Sequence, residues 1–198
     1  MKAYNEFLES KILRSRNEGF DVHPEDLHPS TMEHQRDIIM WAAKGGRRAI
    51  FASFGLGKTH IQLELARLTI KGNDEKALIL CPLGVKHEFK KEAGRLGIDV
   101  EYCRSREEVS NSAAKIILTN YERVRDGDID PNDFILCTLD EASVLRSYGS
   151  KTYQTFLNKF QDVKYRYVCT ATPSPNKYKE LIHYAGFLGV MDTGQALT

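Results

Sequence analysis

The chain has 198 residues, 41% of them apolar and 28% charged, with a formal net charge of +1. Such a length suits one domain with a sizeable core, and near-neutrality excludes an overall basic field as the means of holding nucleic acid, which leaves local patches. No apolar run approaches the ~18 residues that span a bilayer, the charged start MKAYNEFLESKILRSR excludes a signal peptide, and none of Cys81, Cys103, Cys137 and Cys169 forms a C-x-x-C pair.

Residues 1 to about 17 read as an amphipathic helix with Tyr4, Phe7, Leu8 and Ile12 on one side. A loop holding His23, Pro24, His28 and Pro29 follows. Ser30 or Thr31 is placed to cap a helix running to Lys44, with Gly45 and Gly46 as its stop. Short apolar runs then alternate with helical stretches. Strands are predicted over 49–53, 77–81, 99–103, 115–119, 134–139 and 165–170, and helices over 58–70, 86–96 and 177–186. This alternation predicts an α/β fold, a parallel sheet sandwiched between helices, with ligands at the carboxyl ends of the strands. The histidines show no metal-ligand spacing and are expected on the surface or in loops. Trp41 and Tyr4 are expected in the core, and the three cysteines inside apolar runs as buried free thiols in a reducing cytoplasm.

Four signals carry chemistry. The run ASFGLGKT, residues 52–59, fits the P-loop pattern with Ala52 in place of the first glycine. Phe54, Gly55, Leu56 and Gly57 form the curl whose N–H groups face phosphate oxygens, and the helix from Lys58 adds its positive dipole end. Lys58 is a cation for the β/γ-phosphates, Thr59 a hydroxyl for Mg²⁺, and His60 continues the run. The strand RAIFAS before it and the helix HIQLELARL after it supply the context that a chance glycine turn lacks. Second, FILCTLDEAS delivers Asp140 and Glu141 at a strand end, one carboxylate for Mg²⁺ and one to orient or deprotonate the attacking water. Read alone, the same pair is an acidic first helical turn. Third, YVCTATPSPN ends a strand in Thr170 and Thr172, whose hydroxyls suit a bond to the Asp-Glu loop. Alone it is a Ser/Thr/Pro turn. Fourth, the Gln35 amide can read an adenine edge, or be a solvated helix residue.

In this order the signals resemble the first RecA-like domain of superfamily 2 helicases and translocases, over roughly residues 27–190. FGLGKT corresponds to motif I, LILCPLGVKHEFKKE to Ia, LTNYE to Ib, LDEAS to II and TATP to III. GLGKT followed by Gln62, the phrase TNYERVR, Ser150-Lys151, and Asn176, Glu180-Leu181 and Phe187-Leu188 after motif III are similar to the SWI/SNF-like translocases and their phage and prophage relatives. The resemblance implies a RecA-like P-loop NTPase domain over 27–198 preceded by a helix-and-loop extension over 1–26. It also implies ATP and Mg²⁺ as cofactors and movement along duplex DNA in a bacterial or phage-infected cell. Gln35, the 54–60 run, Asp140 and Glu141 are the site it implies, with Ser143, Thr170 and Thr172 in coupling. Ser143 stands where the family commonly has His.

In the family, the Ia and Ib loops touch the DNA backbone, which assigns Lys86, Thr119, Asn120 and Arg123 to nucleic-acid contact. Lys86, Lys90, Lys91 and Arg95 otherwise form a solvated helix face balanced by Glu88 and Glu92. The sequence stops at Thr198, soon after motif III. A second RecA-like lobe, with its arginine fingers, is expected in a longer chain or a partner protein. The chain alone is expected to bind ATP-Mg²⁺ weakly and to hydrolyse it very slowly. Two other readings are a non-hydrolysing ATP- or DNA-binding module acting through a partner, and a nucleotide kinase, for which the chain shows neither an Arg-rich lid nor an acceptor pocket.

Overall fold

A computed structural model describes residues 17–72, 74–145, 151–174 and 180–190. The helix expected over residues 1 to about 17, with Tyr4, Phe7, Leu8 and Ile12, lies outside them apart from Asn17, as do Ser150 and Asn176. The first long helix, α1, spans Glu33–Gly45. Neither Ser30 nor Thr31 caps it, because histidines hold both hydroxyls. Ser30 Oγ lies 2.7 Å from His28 Nδ1, and Thr31 Oγ1 3.0 Å from His60 Nε2. Met32 takes the cap position, and its N–H donates to Gln35 Oε1 at 3.0 Å. Gly46 closes the helix in the left-handed region, as the Gly-Gly stop predicts.

Strand β1, Arg47–Phe51, begins at once, two residues earlier than expected. There follow α2 (Lys58–Ile70), β2 (Ala77–Leu80), α3 (Lys86–Arg95), β3 (Val100–Tyr102), α4 (Arg106–Asn111) and β4 (Ile116–Thr119). The chain continues through α5 (Tyr121–Asp126), β5 (Leu136–Asp140), α6 (Lys151–Lys159), β6 (Tyr165–Thr170) and α7 (Glu180–Leu188). The six strands form one parallel sheet in the order β1-β6-β5-β2-β4-β3. Strand β5 starts two residues later than expected because Pro131–Asp133 form a 3-10 turn, and it runs on to include Asp140.

Both faces of the sheet are covered, so the central strands are apolar on both sides. Ala77, Ile79, Ile116, Leu118 and Tyr167 pack with Ile39 of α1, Leu65 of α2 and Phe89 of α3. The alternate residues Leu78, Leu80, Ile117, Leu139 and Val168 pack with Val124, Phe156 and Phe187 of α5, α6 and α7. Two expectations fail on burial. Trp41 is 50% exposed, with the Arg48 guanidinium 5.3 Å from its ring centre, and His60 and His183 are buried in helices. Helix α2 explains the first histidine: nine of its thirteen residues are buried, so its polar side chains face the interior and need partners. All four cysteines are buried free thiols.

Candidate functional site

Strand β1 runs into the loop 52–57, which delivers the first turn of α2. Gly55 and Gly57 take positive φ angles of 83° and 75°. At Gly57 the positive φ favours glycine, and a Cβ there would sit 2.1 Å from Gln35 Nε2 and push that amide aside. Gln35 is buried and ties α1 to this loop, accepting from Met32 N–H and donating to Leu56 O at 3.4 Å. His34 Nε2 lies 3.2 Å from the same carbonyl. Lys58 Nζ donates to Ala52 O at 3.1 Å and Ser53 O at 3.4 Å, with the exposed Phe54 ring 5.2 Å away. Beside the loop opens a cleft of ≈ 360 Å³ lined by Met32, Gln35, Gly57, Thr59, Lys91 and Arg95, among others. His60 braces its wall, reaching Thr31 Oγ1 with Nε2 and Glu92 Oε1 with Nδ1, both at 3.0 Å.

The order β1-β6-β5 puts the end of β6 between the phosphate loop and the end of β5. Phe51 pairs with Thr170, and Asp140 with Cys169. Asp140 is 6% exposed. Gln62 of α2 donates to its Oδ1 at 2.8 Å, and the Tyr121 hydroxyl donates to its backbone carbonyl. Burial pushes its carboxyl from 3.8 up to about 6, helped by the neighbouring Glu141 charge and opposed by Gln62 and Lys58. Glu141 has φ 48°, the one non-glycine at positive φ among the described residues. Its Oε2 accepts from Thr170 Oγ1 at 3.3 Å, and Thr170 Oγ1 in turn accepts from Thr172 N–H at 3.1 Å. The Ser143 hydroxyl donates to Glu141 O at 3.2 Å.

These residues fit magnesium nucleotide. The loop offers curled backbone, a helix start and a cation to phosphates, and the β5 end offers carboxylates. No group of three or more His, Cys, Asp and Glu among the described residues could hold a metal alone. Thr59 and Asp140 would take Mg²⁺ together with the phosphates that share it.

The residues assigned to nucleic acid divide. Thr119 is fully buried and its hydroxyl donates to Cys103 O at 2.8 Å, so its side chain does not reach a backbone phosphate. Asn120 caps α5, accepting from Arg123 N–H. The Arg123 guanidinium donates to Asp128 at 2.9 Å, about two-fifths exposed, and Lys86 Nζ stands 5.2 Å from the Tyr102 ring centre. Lys91 and Arg95, four residues apart on α3, both line the cleft beside the loop together with Glu88 and Glu92. Sequence reasoning gave no role to Gln62, Tyr121, Thr138 or the His60 brace. Tyr121 lies inside LTNYE and Gln62 four residues after Lys58, but their partners lie on distant strands.

A family model described as the SNF2-related domain matches residues 34–196. No curated protein matches the chain. Among solved structures, the fold is similar to the SWI2/SNF2 ATPase core of Sulfolobus solfataricus in complex with dsDNA, at 20% identity and a TM-score of 0.68, covering 87% of this chain and 38% of that one. It is similar to the UvsW helicase of bacteriophage T4 (15%, TM-score 0.65, 79% and 57%). It is similar also to the Hef helicase domain of Pyrococcus furiosus (21%, TM-score 0.63, 80% and 36%). The chain thus spans between about a third and three fifths of the length of these proteins.

Proposed function

The chain belongs to the SNF2-related domain family, and from that premise we propose that it is the ATP-binding lobe of a DNA-dependent ATPase of the double-strand translocase type. The observation that carries this reading is the Gln62–Asp140 bond of 2.8 Å, which joins the phosphate-loop helix directly to the acidic strand end. Bound Mg·ATP would supply the transferable phosphoryl group and the metal's charge. Loop amides and Lys58 would hold the phosphates, Thr59 and Asp140 the metal, and Gln35 the base edge. Glu141 would orient the attacking water and take its proton, with Thr170 fixing the carboxylate through the 3.3 Å bond.

A second RecA-like lobe, in a longer chain or a partner, would supply arginines that stabilise the transition state. These are worth about 10³–10⁵ in rate. Asn120, Arg123 and Lys86 would meet duplex backbone, as the dsDNA held by the Sulfolobus core suggests. The test is equilibrium ATP binding and steady-state hydrolysis by this chain, with and without duplex. Mg²⁺-dependent ATP binding, weakened at least about tenfold in Lys58→Ala, is expected together with very slow turnover. No ATP binding overturns the reading. Brisk turnover abolished by Lys58→Ala overturns the need for a second lobe. Binding of both ligands without turnover, even after a second lobe is supplied, favours a regulatory module.

A further inference from the structure

Gln62 is fully buried, on the same side of α2 as Lys58 and Thr59, four and three residues before it. Its Nε2 donates to Asp140 Oδ1 at 2.8 Å, and its Oε1 accepts from Thr138 Oγ1 at 2.7 Å. Thr138 and Asp140 are two residues apart on β5, so both project to the face that α2 covers, and one amide spans them. The chemistry fixes the amide's orientation: an ionised carboxylate only accepts, so the NH₂ end faces Asp140 and the carbonyl end takes the threonine proton. One carboxylate oxygen is thereby committed, and the other keeps a set direction.

We propose that Gln62 is a positioning residue for the metal-binding carboxylate, holding Asp140 by Oδ1 so that Oδ2 is presented to Mg²⁺ with the bound nucleotide. This rests on the reading of Asp140 as a magnesium ligand. Outer partners of metal ligands typically change metal affinity by about 10–100-fold. A role confined to packing would weaken nucleotide binding equally with and without the metal.

The informative quantity is therefore the ratio of ATP dissociation constants in EDTA and in Mg²⁺, measured on the full 198-residue chain. Gln62→Met combined with Thr138→Val keeps volume and leaves no orphaned hydroxyl, and Thr138→Val alone is its control. The double variant is expected to lower the ratio about tenfold or more while Mg²⁺-free binding stays within about threefold of wild type. The control is expected to keep the wild-type ratio. An unchanged ratio in the folded double variant overturns the positioning role and leaves the ATP-binding reading standing. No ATP binding by the wild-type chain overturns both. Should the double variant not fold, the wild-type chain decides. The Gln62 side-chain amide signals, assigned through their proximity to the Thr138 methyl, are expected to shift when Mg²⁺ is added to the ATP-bound chain. Unmoved signals overturn the proposal.

Discussion

Asp140 is a carboxylate whose charged form is disfavoured by its burial. Burial raises its pKa from 3.8 to about 6, so the folded chain binds this proton more tightly than the unfolded chain does. The associated stability is complete below about pH 4 and is lost as pH rises through about 6. Asp140→Asn has no such proton, and its amide oxygen can still accept from Gln62. Relative to wild type, the variant should therefore gain on the order of 2–3 kcal/mol between pH 4 and pH 7, read from urea midpoints without nucleotide. A difference that stays flat over this range contradicts the buried-charge account. Lys58, Thr59, Asp140 and Glu141 were legible in the sequence because each motif's spacing is covalent and local. The partners were not: Gln62 and Asp140 are 78 residues apart, and only the sheet order brings them together.

The phosphate loop shows how an element can demand the same residue twice for different reasons. Gly55 and Gly57 both sit at positive φ, but a Cβ at Gly55 meets open space and one at Gly57 meets Gln35. Gly55→Ala should cost about 1 kcal/mol from backbone conformation alone. Gly57→Ala should cost about 2–3 kcal/mol, because it adds the loss of the displaced Gln35 amide's hydrogen bond to the conformational term. Urea denaturation of the two variants checks the order, and equal losses contradict it. The elements that sequence reading located best, α2 and the strands β2, β4 and β6, are continuous apolar or strongly periodic. Helices α4 and α5 have six residues each, too few for a period to show, although Ser105 and Asn120 cap them. The start of α1 was misplaced because propensity favours Ser30 or Thr31 as a cap, and two histidines from outside the cap claim those hydroxyls.

At the scale of the whole molecule, the alternation of strand and helix was enough to give the parallel sheet and its two covered faces. It was silent on strand order. That order sets β6 between β1 and β5, and so sets Thr170 beside Glu141. The same sheet brings a third segment in from the other side. Tyr121, next to Asn120 and two residues before Arg123, stacks on Phe156 and donates its hydroxyl to the Asp140 carbonyl. On the proposed function, the loop that meets duplex and the strand end that meets magnesium share this bond. Thermodynamic reciprocity then applies: the factor by which duplex tightens nucleotide equals the factor by which nucleotide tightens duplex. Tyr121→Phe should reduce both factors together, by roughly 2- to 30-fold, as seen by titrating each ligand in the presence and absence of the other. Two unchanged factors would show that the bond transmits nothing. On that reading, DNA and ATP would be mutual effectors, each reporting on the other's occupancy through the Tyr121 phenolic proton.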